Sequence, residues 1–208
     1  MPAKVPISSG ATPLAKLDIQ HRIENGLLST YVDQATRITS AEILSQAATL
    51  VVPWAPDKGD LIVHELSILR DGTTIDLLAK GQKFTILRRE QTLEQRELTG
   101  ILSATLAVEG LQVGDLLQMR LTITAKDSAL AGRVQDVVPL LALPARVDYA
   151  HVRFSWPTKE QMRWHLLAEG AKPQPVRKGN YTEIAMALPL PSKQKCRKML
   201  RRAISTRP

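Results

Sequence analysis

Apolar and polar residues alternate with a period of two in several short segments of the chain. The segment 116–124 is the clearest case, because its odd-numbered positions are leucine, methionine, leucine and isoleucine, whereas the even-numbered positions from 118 to 124 are polar. Successive side chains of a strand point to opposite faces, so this pattern predicts a half-buried strand. The same alternation predicts strands at 102–108, 150–156, 162–168 and 182–188.

Two dipeptides predict tight hairpins between such segments. Asn25-Gly26 separates residues 17–24 from 27–38, and Asp71-Gly72 separates residues 61–70 from 73–79. Both dipeptides suit turns in which two consecutive residues have positive φ, and these are the turns that join antiparallel strands most closely.

The chain has one clear helix start. Thr39 is followed three residues later by Glu42, which is the spacing of a capping box, and an apolar stretch that includes Ile43 and Ala47 comes next. We expect one or two helical turns there. Many short strands with a single short helix favour an all-β fold, an antiparallel β-sandwich whose two sheets cover each other's apolar faces.

The expected domain organisation follows from composition along the chain. We interpret residues 1–14 as a flexible leader, 15–192 as the sandwich domain with a weak subdomain boundary near residue 144, and 193–208 as a basic, unstructured tail. The leader lacks the long apolar stretch of a secretory signal peptide. Nowhere do about 18 apolar residues run together, so we expect no transmembrane segment.

The positive charge of the protein is concentrated in the tail. The chain carries 28 basic and 20 acidic residues, a net charge of +8, and seven of the basic residues lie within 193–208 together with no acid. Such a tail favours, as an alternative function, binding to nucleic acid or to anionic surfaces. Aromatic residues that could stack on bases are absent from it, so we expect no specific nucleic-acid partner.

Few residues suggest catalytic or metal chemistry. Cys196, the one cysteine, lies in the basic tail, where neighbouring charges favour a thiolate but no base is at hand. The four histidines are scattered over separate segments without metal-ligand spacing, and we expect them to be ordinary sheet residues, with His64 on the same face as Leu66 and Ile68. Asp57 and Asp60 flank a lysine and are expected to form a turn rather than a calcium loop. We therefore predict no cofactor and no metal.

Two further groups of residues are candidates for binding surfaces. The three tryptophans, at positions 54, 156 and 164, are expected in the core, since the chain has only eight aromatic residues to fill it. Arg88, Arg89 and Glu90 begin a charge-dense stretch, which is either an exposed strand edge kept soluble by charge or a surface for docking a partner. We take these three residues as the candidate interaction surface.

Three successive stretches of the sequence resemble a known family. They are PWAPDKGDLIVHELSILRDGTTIDLL at 53–78, FTILRREQTLEQRELTG at 84–100 and SATLAVEGLQVGDLLQMRLTIT at 103–124. Their markers are Leu69-Arg70-Asp71-Gly72 leading to Ile75-Asp76, then Leu87-Arg88-Arg89-Glu90, then Val113-Gly114-Asp115. In this order they resemble the bacterial domain-of-unknown-function family 3857, over residues 19–191.

The resemblance implies a β-sandwich that lies N-terminal to a transglutaminase-like domain, mostly in extracytoplasmic proteins. The catalytic Cys, His and Asp would belong to that following domain. This chain ends in the basic tail instead, so we expect a truncated, frame-shifted or stand-alone fragment.

The expected function is a non-catalytic module that packs against, positions or regulates a transglutaminase-like domain or another protein partner. An enzyme in its own right is the less favoured alternative, because the sequence contains no nucleophile elbow, P-loop, dinucleotide fingerprint or zinc motif.

Overall fold

A computed structural model of the protein describes residues 12–88, 100–167 and 173–190. Over these residues the chain forms eleven strands and one α-helix. In chain order the elements are β1 (Leu14–Glu24), β2 (Leu27–Arg37), α1 (Ala41–Ala47), β3 (Thr49–Trp54), β4 (Leu61–Arg70), β5 (Thr73–Asp76), β6 (Thr85–Arg88), β7 (Leu102–Ala107), β8 (Leu116–Ala125), β9 (Tyr149–Pro157), β10 (Val176–Lys178) and β11 (Tyr181–Leu188).

The strands form two sheets of unequal size, which confirms the predicted all-β sandwich. The larger sheet has eight strands in the order β10-β11-β9-β1-β2-β8-β4-β5, and the smaller has three in the order β3-β7-β6. All neighbouring strands are antiparallel except β1 and β9, which are parallel. The alternation of side chains does not encode strand direction, so this parallel pair could not be predicted from the alternation.

Both predicted hairpins are present. Glu24 lies opposite Leu27 across the first turn, where Asn25 and Gly26 have φ values of 54° and 73°. Asp71 and Gly72 have φ values of 49° and 77° between β4 and β5. Two consecutive positive φ angles match the right-handed twist of the flanking strands, which explains the choice of these dipeptides.

Strand pairing gives the larger sheet an apolar inner face. The smaller sheet packs over β2, β8 and β4, where Val52 and Ala104 form a buried cluster with Leu121. Beside it, Leu66 and Ile68 pack with residues from β7 and from the connections between strands. The half of the inner face formed by β1, β9 and β11 lies beyond this small sheet.

Irregular chain segments pack on that second half. Val152 and Leu188 form a buried cluster, against which Leu140, Val147 and Leu166 pack. We call the two segments that supply these contacts, residues 131–147 and 158–167, the loop layer. The inner face is therefore covered partly by a sheet and partly by loops.

One predicted strand is wrong, and with it the placement of one tryptophan. Residues 162–167 form no strand, and Trp164 is 45% exposed instead of lying in the core. The segment packs on the larger sheet as irregular chain instead, with Leu166 against the cluster that contains Val152. Alternation alone does not ensure that a segment pairs with a neighbouring strand. Trp156 is buried as expected, and Trp54 packs half-buried against the core.

His64 lies on the face opposite to the one that alternation predicts. Val63 pairs with Leu121 and Glu65 with Arg120, so β4 contains a bulge at His64. One extra residue reverses the order of the faces from that point. His64 is consequently exposed beside polar side chains, whereas Leu66 and Ile68 are buried.

The short helix begins one residue later than the capping-box spacing predicts. Ser40, not Thr39, is the N-cap, and its Oγ accepts a hydrogen bond from the Ile43 backbone N–H at 3.3 Å. Two adjacent hydroxyl residues both fit the pattern, and the helix length of seven residues agrees with the prediction.

Candidate interaction surface

The outer face of the larger sheet carries a network of charged side chains. Asp33 in β2 is fully buried, and its Oδ2 accepts hydrogen bonds from Lys16 Nζ at 2.7 Å and from Arg120 Nε at 3.2 Å. Arg120 also donates through Nη1 to Glu65 Oε2 at 2.6 Å. Four adjacent strands are thus joined by ion pairs, and a buried carboxylate is stable only with such compensation.

Two ring side chains flank this network. Burial raises the pKa of Tyr31, and the nearby Asp33 carboxylate raises it further, so its phenol stays protonated at neutral pH. His64 lies beside Tyr31, with ring centroids 6.0 Å apart, and its Nε2 is 2.7 Å from Thr122 Oγ1. Both rings therefore present hydrogen-bonding groups at the outer face.

A second buried carboxylate lies next to the first. Asp18 pairs directly with Asp33 across β1 and β2 and is 3% exposed. Its Oδ2 accepts from Gln20 Nε2 at 3.0 Å, and its Oδ1 is 4.0 Å from His151 Nδ1. The outer face therefore holds acids, bases and a phenol, and Asp33, Glu65, Lys16 and Arg120 are bound to one another in ion pairs.

Two of the motifs that carry the family resemblance meet in space. Arg70 donates through Nε and Nη2 to the two carboxylate oxygens of Asp115, at 2.7 and 2.8 Å. The Arg70 side chain also donates to the Gly110 carbonyl, and Asp115 accepts from the Gln112 backbone N–H at 2.7 Å. These bonds hold the pKa of Asp115 below its usual range. The pair fixes the loop that leads into β8.

The loop layer exposes large apolar side chains. Val137 is 86% exposed, Leu143 43%, Trp164 45% and Leu167 75%. Scattered exposed apolar residues are common in proteins, but a group of them on one layer marks a surface suited to a partner.

The described chain also ends in this layer. The Leu190 backbone N–H donates to the Leu141 carbonyl at 2.8 Å, and the Leu190 carbonyl accepts from the Leu143 N–H at 2.9 Å. Leu190 itself is 6% exposed and belongs to the cluster beneath the layer. Leu190, the last described residue, is therefore fixed between Leu141 and Leu143.

The structure brings together few of the residues singled out from the sequence. Arg88 lies exposed at the end of β6, an edge strand of the smaller sheet, whereas Arg89 and Glu90 lie outside the described residues. The candidate surface Arg88, Arg89 and Glu90 therefore stays a prediction. Cys196 and the tail 193–208 also lie outside the described ranges.

The remaining candidates occupy separate places. His21 is buried beneath the loop layer, His64 and His151 lie on different strands of the outer face, and His165 is exposed in the loop layer. Among the described residues, no three potential ligands are grouped as a metal site requires. The predicted turn after Ala55 is present, and Lys58 there forms an ion pair with Asp127 at 2.9 Å.

Sequence reasoning missed the charged network of the outer face. The signal was the alternation itself, because the polar positions of β1, β2 and β8 hold Lys16, Asp18, Asp33 and Arg120 in register. Their pairing depends on which strands are neighbours, and this cannot be read from any one segment. Across the described part of the chain, no helix has the length and hydropathy needed to cross a membrane.

A family model matches most of the chain. It is the model of DUF3857, a domain of unknown function with a solved structure, and it matches residues 24–188. A search of curated proteins finds none that matches this sequence.

A comparison with solved structures gives two matches, of which the first is similar in fold. A "putative protease" from Parabacteroides distasonis ATCC 8503 superposes with a TM-score of 0.69 and 14% identity, over 86% of this chain and 36% of that one. A two-domain M1 zinc metallopeptidase, in a mutant form bound to L-arginine, gives a TM-score of 0.40 and 12% identity, over 84% of this chain and 38% of that one. The chain thus spans little more than a third of the length of either protein.

Proposed function

Because the chain belongs to the DUF3857 family, we propose that it is a non-catalytic β-sandwich module that packs against, positions or regulates a transglutaminase-like domain. The observation that carries this proposal is the size relation. The same fold forms 36% of the longer Parabacteroides distasonis protein, so in that protein it stands beside a larger remainder. A module of this kind acts by binding its neighbour through surface contacts, without catalysing a reaction itself.

The chemistry of the outer face supports a non-catalytic role. A general base or nucleophile needs a free face toward a substrate and an environment that tunes its pKa. Here Asp33 is neutralised by Lys16 and Arg120, and Glu65 is held by Arg120. These groups stabilise the sheet by binding one another.

The first test asks whether the isolated chain turns over substrates. Purified protein is incubated with casein, with a dansyl-amine plus casein pair for transglutaminase activity, and with p-nitrophenyl acetate. We expect rates equal to buffer in all three assays. Turnover that co-purifies with the chain and is lost in Asp33→Asn, but retained in the exposed-site control Ile62→Ala, would show an enzyme and contradict the proposal.

The second test asks for binding. Transglutaminase-like domains are produced alone, each from a protein that carries a DUF3857 module N-terminal to it, and are titrated with the chain in a calorimeter. Interfaces between domains of one chain are usually modest, so we expect a Kd of about 1–100 μM for at least one of them. Papain serves as a control catalytic domain of comparable size. If no domain of the panel binds more tightly than papain, the proposed function is wrong.

A further inference from the structure

We propose that the loop layer is the docking surface of the module and that it receives an apolar face with an acidic rim on the neighbouring catalytic domain. This inference rests on the proposed function and adds which side of the sandwich is used and what chemistry the partner presents.

The loop layer carries exposed apolar side chains. Val137, Leu143, Trp164 and Leu167 are each more than two-fifths exposed and all belong to the loop layer. A tryptophan with nearly half of its surface in water is a suitable centre for an interface, because large aromatic side chains contribute most when a partner removes them from solvent.

The loop layer is anchored to the buried cluster beneath it. Leu140, Leu141, Val147 and Leu166 pack on the cluster that contains Val152. The exposed side chains alternate in sequence with these anchors, so the apolar surface has a fixed position on the sheet. A preformed surface loses less conformational entropy on binding than a loose one.

The last described residue of the module, Leu190, lies within the loop layer. Leu190 is held between Leu141 and Leu143 by two backbone hydrogen bonds. Whatever follows residue 190 starts within the loop layer, beside one of its exposed leucines. A domain joined there is kept at high effective concentration near this surface and not near the outer face.

The charged side chains of the loop layer are mostly basic. Exposed basic side chains at Arg133, Arg146, Lys159 and Arg163 outnumber the acids Asp136 and Glu160 in the layer. A surface that combines exposed apolar and basic side chains is complemented by carboxylates around an apolar patch on the partner. This charge also disfavours a second copy of the chain, since two such layers would repel each other.

The test compares matched variants of the full chain. Trp164→Asp and Leu167→Asp place a charge within the proposed interface. Ile62→Asp places the same charge on the outer face, at a residue 46% exposed against 45% for Trp164. All three sites are exposed, so the midpoints of thermal unfolding should agree closely with that of the unmodified chain. Each variant is titrated against the domain that binds best in the panel described above.

We expect Trp164→Asp and Leu167→Asp each to raise Kd by about tenfold or more, and Ile62→Asp by less than about twofold. Trp164→Ala should also weaken binding, which separates lost packing from added charge. Raising the NaCl concentration should weaken binding of the unmodified chain, because the rim charges are screened.

Other results would overturn the inference in distinguishable ways. Binding that is lost in Ile62→Asp but kept in Trp164→Asp would move the interface to the outer face and leave the proposed function standing. A dimer seen in analytical ultracentrifugation that dissociates in Trp164→Asp would show that a second copy occupies the layer. If no domain binds at all, the proposed function fails, and this inference fails with it.

Discussion

Arg70 and Asp115 are 45 residues apart in sequence, yet they form the most completely hydrogen-bonded ion pair of the fold. Asp115 is 2% exposed and receives three hydrogen bonds, two from Arg70 and one from the Gln112 backbone. Charge-assisted, two-pronged bonds of this kind are stronger than neutral ones and fix geometry. The pair links the Arg70-Asp71-Gly72 motif to the Gly114-Asp115 motif, since the first supplies the guanidinium and the second the carboxylate.

Asp115→Asn should therefore destabilise the fold. The amide keeps the shape but turns one acceptor into a donor, facing donors of Arg70 and Gln112, and we expect a loss of about 1–3 kcal/mol in the free energy of unfolding. Urea denaturation at neutral pH measures it. Asp71→Asn is the control, since Asn also tolerates the positive φ of that position and the site is exposed. Equal losses in both variants would contradict this role.

The same pair predicts a dependence on acid. Because the pKa of Asp115 is lowered in the folded state, first by the Arg70 hydrogen bonds, the unfolded state binds its proton at higher pH. The stabilisation is complete above the ordinary carboxyl range near pH 4 and is lost as pH falls through the folded pKa. The difference in the free energy of unfolding between the unmodified protein and Asp115→Asn should therefore become smaller as the pH falls below about 4.

His21 carries a pH dependence near neutrality. It is 6% exposed, its ring stacks on Phe154 at 4.8 Å, and its Nδ1 is 3.0 Å from Thr30 Oγ1. Burial lowers the pKa of His21, against a smaller opposing effect of Asp136. In the folded protein the ring therefore resists protonation, whereas in the unfolded chain it accepts a proton near pH 6.5.

We expect stability to decrease as pH falls from about 7.5 to about 5.5, because the unfolded state gains a proton that the folded state does not. In His21→Gln this slope should become flatter, while His165→Gln, at an exposed histidine, should leave it unchanged. Urea denaturation at several pH values gives the slopes. A His21→Gln slope identical to that of the unmodified chain would rule out His21 as the source.

At the scale of elements, the two hairpin turns differ in their surroundings. A Cβ on Gly26 would lie 2.6 Å from the Gly132 carbonyl oxygen of the loop layer, whereas a Cβ on Gly72 would meet nothing within 4 Å. The φ angles of the two glycines are nearly equal, at 73° and 77°. The first turn thus packs against the loop layer, whereas the second has no neighbour close to its glycine.

Gly26→Ala should therefore cost clearly more stability than Gly72→Ala. Both changes introduce the strain of an L-residue at positive φ, roughly 1–2 kcal/mol, and only the first also displaces the Gly132 backbone. Thermal unfolding of the two variants measures the difference. Equal losses would mean that the turn and the loop layer do not touch in solution.

Local patterns predicted those elements whose formation depends on a short stretch of chain. The hairpins at Asn25-Gly26 and Asp71-Gly72 and the strand β8 needed only turn chemistry and alternation. The expected strand at 162–168 was wrong because a strand also needs a neighbour to pair with, which depends on the whole sheet; residues 162–167 pack on the larger sheet as irregular chain instead. The bulge at His64 was missed because Ile62, Leu66 and Ile68 form one alternating apolar series across it, although Ile62 pairs with Thr122 and lies on the outer face.

The candidate surfaces were less predictable than the fold. The contact between Asp33 and Arg120 joins residues 87 positions apart, and it depends on the order of strands in the sheet. The loop layer was missed since Trp164 and its neighbours look, in sequence, like the inner face of one more strand.

At the scale of the whole molecule, the basic tail offers a separate prediction. Binding of the full chain to random-sequence DNA should be weak, should fall steeply with salt, and should reside in residues 193–208, which hold seven basic residues. Deleting those residues should abolish it, as gel-shift assays at two salt concentrations would show. Binding retained after the deletion would place it on the sandwich instead.

The parallel pair of β1 and β9 also brings the start of β1 close to the end of β11. Leu188 lies opposite Ala150 in β9, and Ala150 lies opposite Leu17 in β1, so Leu17 and Leu188 lie at the same end of the strands. Two strand spacings, about 10 Å, separate them. A few glycines and serines could close the domain into a circle, with new ends opened at Asp71-Gly72, and this circular permutant should keep every strand pair but the β4–β5 turn. By the same geometry, the domain could be inserted into a surface loop of another protein without moving the two ends of that loop far from each other.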